Sequence, residues 1–363
     1  MALQMGIVGL PNVGKSTLLN ALTHAHAEAS NYPFCTIDRN VGAAPIDDPR
    51  LARLAELLHP EEMILASIRF IDIAGLVRGA SKGEGLGNQF LGHIREVDAI
   101  VHVVRCFEDE RIVHVDGSVD PVRDMEIVET ELLLADLDTV EKHRVKVEHA
   151  SKANPRQAAV DLAAIARLTE ALKRGVPLRR ARLAPEDLEK SRELFLLSDK
   201  PVVVVANVAE DDPEGKAPCI ARLREAAASE TLLALPIRLE EELAQLAPDE
   251  RDAFLRDLGL PGRVLDRLVA ASRDLLQLIT FYTTANEKLQ AWLIPKGTKA
   301  PRAAGRIHTD MERGFIRMEV FRPEDLETFG SRAELHRHGR IRVEGKEYEI
   351  QDGDVCHVLF HPS

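Results

Sequence analysis

Cysteine is scarce in this 363-residue chain: Cys35, Cys106, Cys219 and Cys356 are scattered, with no CxxC pair and no His/Cys cluster at zinc spacing. That excludes a disulfide scaffold and a structural zinc site, and it fits thiols kept reduced in a cytosol. Long apolar runs are lacking as well. The longest, Ala99 to Val104 and Pro201 to Val208, stop far short of the ~18 residues of a membrane span, and Met1 to Leu10 has neither a basic start nor a cleavage site. The expectation is a cytoplasmic protein without a membrane anchor. No internal repeat or low-complexity tract occurs. What remains is ordinary globular composition, 45% hydrophobic and 29% charged, long enough for two or three domains. A net charge of -12 argues against indiscriminate nucleic-acid binding and gives no reason to expect sequence-specific DNA recognition.

Five short runs rich in Val, Ile and Leu (Leu3 to Val8, Ser67 to Ile73, Ala99 to Val104, Val202 to Ala206, Leu232 to Ile237) alternate with helical spacing, as in a buried, mostly parallel sheet. Between Val104 and Pro201 the spacing breaks, which predicts an insertion. Leu133, Leu137, Val140 and Val147, then Val160, Ala164, Leu168 and Leu172, recur at helical intervals, so an antiparallel helical hairpin joined near Asn154-Pro155 is expected. From Lys142 to Arg182 there are 11 basic and 3 acidic residues, a local +8 that leaves -20 on the rest of the chain. This arm, 142–182, points to an anionic partner, RNA first, with Arg179, Arg180 and Arg182 expected among the contacts. Beyond Gln277 short alternating segments, Leu289 to Ile294 and Ile341 to Ile350 among them, predict a small α+β domain. The predicted architecture is α/β. One domain spans 1–130 and 198–276, a helical arm spans 131–197, and a C-terminal domain spans 278–361.

The strand Leu3 to Val8 runs into Gly9-Leu10-Pro11-Asn12-Val13-Gly14-Lys15-Ser16-Thr17, a GxxxxGK[ST] phosphate loop opening the helical stretch Thr17 to Leu22. Gly9, Asn12, Val13, Gly14, Lys15, Ser16 and Thr17 are the expected phosphate-binding residues, because main-chain N–H groups and a helix N-terminus cradle anions where side chains would intrude. Lys15 is expected on the β- and γ-phosphates and the Ser16 hydroxyl on Mg²⁺. Asp72-Ile73-Ala74-Gly75 is DxxG at a strand end, with Asp72 placed for a Mg²⁺-bound water and the Gly75 N–H for a γ-phosphate. Thr36, in the segment Asn31 to Arg39, is the candidate for a second Mg²⁺ hydroxyl, and Gly79, Gly83, Gly85 and Gly87 suit a segment that orders with nucleotide.

Two departures bear on chemistry. Guanine-specific switches carry NKxD, whose Asp accepts two hydrogen bonds from guanine; here the strand ends in Asn207-Val208-Ala209-Glu210, and NKxD occurs nowhere. With Glu210 displaced by a methylene, the guanine clamp is lost. Backbone C=O and N–H at Val208 match adenine's donor and acceptor, so ATP is favoured over GTP. Where Ras-type switches orient water with Gln, this chain has Leu76, so His114 becomes a candidate water-orienting group.

GLPNVGKST at Gly9, YPFCTID at Tyr32, DxxG at Asp72, GLGN at Gly85, NVAE at Asn207, the basic insert and the final segment together resemble the YchF family, the Obg-like ATPases, over essentially the whole chain. The resemblance implies a translation-factor-class P-loop NTPase domain and a β-grasp (TGS) domain from about Leu278 to His361. It also implies Mg²⁺-dependent ATP hydrolysis, ribosome binding through the arm and TGS domain, and a catalytic histidine at His114. Leu235-Pro236-Ile237-Arg238-Leu239-Glu240 departs from the family's small Ser- or Cys-containing base loop. The alternatives are a GTPase or dual-specificity NTPase, or a nucleotide-sensing ribosome adaptor in which hydrolysis is incidental.

Overall fold

The computed structural model describes residues 3–24, 40–73, 75, 79, 86–152, 154–260, 262–285 and 287–361. Its first half builds β1 (Gln4–Val8), α1 (Lys15–His24), β2 (Val41–Pro45), α2 (Pro49–Leu58), β3 (Glu62–Ile64), β4 (Ser67–Asp72), α3 (Leu86–Glu96) and β5 (Ala99–Arg105). Two long helices follow, α4 (Pro121–Ala150) and α5 (Pro155–Lys173), then α6 (Pro185–Glu193), β6 (Val202–Asn207), α7 (Pro218–Ala227), β7 (Thr231–Leu235), α8 (Ile237–Leu243), α9 (Pro248–Asp257) and α10 (Val264–Leu275). The C-terminal part contains β8 (Leu278–Ala285), β9 (Lys288–Pro295), α11 (Ala300–Ile307), α12 (Thr309–Arg313), β10 (Phe315–Phe321), α13 (Pro323–Phe329), α14 (Arg332–Arg337), β11 (Arg342–Glu344) and β12 (Val355–Phe360).

The first sheet runs β2-β4-β1-β5-β6-β7, parallel except for the edge strand β2. All six residues of β6, Val202 to Asn207, are buried, as helices on both faces of a parallel sheet require. The last run of this sheet is shorter than its apolar stretch suggests: Pro236 has no N–H to extend the ladder, and Ile237 starts α8.

The second sheet runs β11-β10-β12-β8-β9-β3. Neighbouring residues on its strands serve opposite faces: Phe281, Val320 and Cys356 pack under α11, whereas Tyr282, Phe321 and Val355 join the core of the first sheet. Its edge strand β3 comes from the first half of the chain and pairs in parallel with β9, Met63 opposite Leu289. A polar bond reinforces this joint, where the Tyr282 hydroxyl donates to the buried Asp48 at 2.6 Å and Arg50 bridges Asp48 and Asp352. The segment Ile341 to Ile350 forms only the three-residue strand β11, because Lys346 and Glu347 turn the chain and Ile350 is buried in the α11 layer instead.

Helices α4 and α5 form the expected antiparallel hairpin, each started by a side-chain cap followed by proline: Asp120 accepts from the Arg123 N–H and Asn154 from the Gln157 N–H. Helix α4 runs across residue 131, its first half (Met125, Val128, Leu132) lying in the core of the first sheet and its second half (Val140, with Leu137 and Val147) against Ile165, Leu168 and Leu172 of α5. Val160 does not belong to that seam; it is 55% exposed, and Ile165 fills the core position.

The basic stretch is not uniformly available to a partner. Arg179 and Arg180, 9% and 18% exposed, form a four-charge network with Glu129 of α4 and Glu230 before β7, including Arg180 Nη2 to Glu129 at 2.9 Å and Arg179 Nε to Glu230 at 2.7 Å. The expectation that these two arginines meet RNA is thereby corrected: acidic partners 50 residues away in sequence take them into the base of the arm. Behind them His102 of β5 is fully buried, and burial together with the two guanidinium charges pushes its pKa down to about 3. Arg182 is exposed. Farther out, Arg144 is paired with Glu141 and Glu148, and Arg167 with Asp187. Lys146, Lys152 and Arg156, near the tip, are exposed and carry no ion pair among the described residues. No described helix is long and apolar enough to cross a membrane.

Candidate functional site

β1 and β4 are paired in register, Ile7 opposite Asp72, so the loop after β1 and the carboxylate ending β4 emerge at one edge of the sheet. The loop needs its glycines. A Cβ on Gly9 would lie 2.4 Å from the Val103 carbonyl oxygen, and Gly14, at φ +102°, would place one 2.5 Å from the Asn207 amide nitrogen. Asn12 is also left-handed, at φ 62°, and the loop closes into α1 with the Leu18 N–H on the Gly14 carbonyl at 2.9 Å. Val13 is buried, and Thr17 lies in the first turn of α1.

Lys15 turns back over this loop. Its ammonium donates to the Leu10 carbonyl at 2.9 Å, and burial lowers its pKa, partly offset by the Asp72 charge. Ser16 Oγ donates to Asp72 Oδ2 at 2.5 Å, while Asp72 Oδ1 is buried without a partner among the described residues. Gly75 closes the group from the other side; a Cβ there would stand 3.1 Å from Lys15 Nζ and 3.2 Å from Pro11. Lys15, Ser16, Asp72 and Gly75 are thus brought together from two segments, with an ammonium, a hydroxyl and a half-satisfied carboxylate at a helix N-terminus. That donor set accepts an anion with a hard, oxygen-seeking cation. Thr36 and Leu76 lie outside the described residues.

His114 also reaches this edge, but it is engaged. Its Nδ1 accepts the Asp116 N–H at 3.1 Å, so Nε2 carries the proton and donates to the buried Asp124 at 2.8 Å. The loop that holds it is organised by Arg105, a residue that the linear reading passed over. This guanidinium, 2% exposed at the end of β5, donates to the carbonyls of Phe107, Asp109 and Ile112 and lies over the Phe107 ring. An arginine closing the run Ala-Ile-Val-His-Val-Val is the signal that could have marked it. The loop is then tied to the first one by the Asn12 amide, which donates to the Val113 carbonyl at 3.1 Å.

Asn207 forms the other wall. Its Nδ2 donates to the Val13 carbonyl at 2.9 Å and its Oδ1 accepts the Ile237 N–H at 3.3 Å, joining the loop after β1 to the start of α8. The expected use of both backbone groups of Val208 does not hold, because its N–H already donates to the Leu235 carbonyl at 3.2 Å, prolonging the ladder between β6 and β7. Glu210 stands at the surface, 3.3 Å from Arg238 Nε. A last link runs toward the arm: the Gly79 N–H donates to Glu131 of α4 at 2.7 Å.

Known proteins resemble this chain along its length. Residues 4–134 match a family described as "50S ribosome-binding GTPase", and residues 278–361 match the YchF-GTPase_C family, described as "Protein of unknown function (DUF933)". The chain is 48% identical over 366 residues to a protein of Bacillus subtilis named "Ribosome-binding ATPase YchF", covering 99% of this chain and all of that one. A Haemophilus influenzae protein of the same name is 46% identical over 363 residues, with 99% and 100% coverage. Among solved structures, that titled "Structure of the Schizosaccharomyces pombe YchF GTPase" superposes with a TM-score of 0.86 at 34% identity, covering 98% of this chain and 97% of the other.

Proposed function

The chain belongs to the YchF family, and from that premise we propose that it is a Mg²⁺-dependent, ATP-binding and ATP-hydrolysing switch that works on the ribosome. The observation that carries the reading is the meeting of Lys15, Ser16, Asp72 and Gly75 around the buried Asp72 Oδ1, which has no partner among the described residues. Ser16 and Asp72 are the hard-oxygen groups that would hold Mg²⁺, directly or through water, with Thr36 as a further hydroxyl; when bound, the ion neutralises charge on the β- and γ-phosphates.

In this reading Gly9, Asn12, Val13, Gly14 and Thr17 line the phosphate cradle, and Lys15 exchanges the Leu10 carbonyl for the β- and γ-phosphate oxygens. The Gly75 N–H donates to the γ-phosphate. Water attacks in line, the bond to the β-phosphate oxygen breaks, and the water's proton ends on inorganic phosphate. His114 orients that water only after releasing one of its two present partners, Asp116 or Asp124, so turnover is slow until the loop rearranges. Asn207, Val208 and Glu210 border the base. The nucleotide state is passed to the arm through Gly79 and Glu131, and the tip residues Lys146, Lys152 and Arg156, together with the TGS domain, meet ribosomal RNA.

A second reading keeps the site and changes the base to guanine; the "GTPase" in the matched family's description and in the solved relative's title favours it. Side-by-side binding of ATP and GTP with Mg²⁺, followed by turnover with and without ribosomes, tests both. ATP preferred by about tenfold, roughly 1.4 kcal/mol, with ribosome-stimulated hydrolysis is the expected result. Equal or GTP-favoured binding would replace ATPase by NTPase, and background turnover on ribosomes would leave a nucleotide-sensing adaptor. Lys15→Ala is expected to abolish tight triphosphate binding; normal binding and turnover by that variant would overturn the site.

A further inference from the structure

Two main-chain donors at the base end of the site are committed and a third is missing. The Val208 N–H belongs to the Leu235 carbonyl, the Ile237 N–H belongs to Asn207 Oδ1, and Pro236 has none to give. Adenine nevertheless presents an acceptor, N1, beside its amino donor, and an acidic side chain alone answers only the donor. Two charged side chains stand at this end: Glu210, at the position where guanine switches have their Asp, and Arg238, the second residue of α8. They are already together: Arg238 Nε lies 3.3 Å from Glu210 Oε1 and 3.4 Å from Glu242 Oε1.

We propose that Arg238 is a specificity-determining residue, which holds the Glu210 carboxylate beside its own guanidinium so that the pair offers adjacent acceptor and donor to adenine's N6 amino group and N1. The inference rests on the base lying between Asn207 and α8, as in the proposed function. Arg238 acts twice in this arrangement. It supplies the only cation next to Glu210 at this end among the described residues, so the carboxylate is no longer free to take both donors of guanine's N1–H and 2-amino edge, and it gives adenine N1 a donor that the Val208 and Ile237 N–H groups, already bonded, do not supply. Guanine meets the pair in the wrong order, its O6 acceptor and N1–H donor reversed relative to adenine. Glu242, one turn along α8, keeps Arg238 from swinging away when no nucleotide is present.

The test uses the full chain and ATP analogues that lack one edge atom. Equilibrium binding of ATP, GTP, 1-deaza-ATP (no N1 acceptor) and purine riboside triphosphate (no amino donor) is measured for the wild type, Arg238→Ala, Arg238→Lys and Glu210→Gln. The wild type should bind 1-deaza-ATP about tenfold more weakly than ATP, the effect of one charge-assisted bond. Arg238→Ala should lose that difference, binding ATP and 1-deaza-ATP alike while GTP gains relative to ATP, and Arg238→Lys should restore part of it. Glu210→Gln, which keeps an acceptor oxygen but loses the charge, should lose part of the discrimination against the analogue without the amino group. Wild type that binds 1-deaza-ATP as tightly as ATP, or Arg238→Ala that still discriminates, overturns the proposal while leaving the phosphate site standing. Failure of the wild type to bind any triphosphate would overturn the proposed function itself.

Discussion

Replacing Arg180 by alanine should damage the fold of the arm's base before it affects any partner. The four side chains of the network are 7 to 18% exposed, so solvent screens them little. Without Arg180, the carboxylates of Glu129 and Glu230 share a single guanidinium, that of Arg179, whose Nε remains 2.7 Å from Glu230. Breaking one partner out of a buried ion pair costs about 3 to 5 kcal/mol. Because Arg179 still covers part of the charge, about 2 to 3 kcal/mol is expected here. At about 2 to 4 °C per kcal/mol for domains of this size, the melting temperature should fall by roughly 4 to 12 °C. Arg179→Glu should cost more, since three carboxylates would then face one cation. The assay is thermal unfolding by circular dichroism, paired with ribosome cosedimentation of the protein well below its melting point, where the folded fraction is unchanged. Arg180→Ala with an unaltered melting temperature and weakened, salt-dependent ribosome binding would refute the reasoning and return this arginine to the RNA-facing surface.

Reversing charge at the tip, Lys152→Glu with Arg156→Glu, should leave the melting temperature within a degree or two and lower both ribosome affinity and the slope of its salt dependence, by about one unit per lost phosphate contact; an unchanged slope argues against the tip. Arg105→Lys keeps the charge but gathers its donors on one nitrogen in place of the three of the planar fork, so ATP affinity should hold while turnover on ribosomes falls several-fold, and equal loss of both would mean that Arg105 serves only the fold. Asp136, buried on α4 beneath the N–H groups of Leu197 and Ser198, has its carboxyl pushed up to about 6 by burial, so the folded chain binds a proton that the unfolded chain, near 3.8, has lost. The stability from that proton is complete below about pH 4 and is lost as pH rises through 6, about 3 kcal/mol in all. Urea unfolding of Asp136→Asn should therefore gain on the wild type by about that amount between pH 4 and pH 7, and a constant difference would contradict the shift.

Much of this molecule was legible in one dimension because its determinants are local. GxxxxGKS carries its own loop, helix start and hydroxyl, and five apolar runs mark the strands of a sheet buried on both faces. DxxG, spaced for the neighbouring strand, points to the same edge. The hairpin declares itself through apolar periodicity and the Asn154-Pro155 joint. Only the tertiary structure decided matters that depend on who meets whom. Arg179 and Arg180 look like any basic surface until Glu129 and Glu230 close on them. His114 looks free until Asp124 accepts its hydrogen bond. The Val208 amide looks available until the ladder to β7 claims it. Strand β3, three residues long, has no periodicity to read, and its place in the second sheet comes entirely from β9. Sequence determines which groups a chain owns and the local shapes they favour; whether a charge faces water or a partner is decided by residues distant along the chain, because desolvation and pairing depend on what packs around it in space.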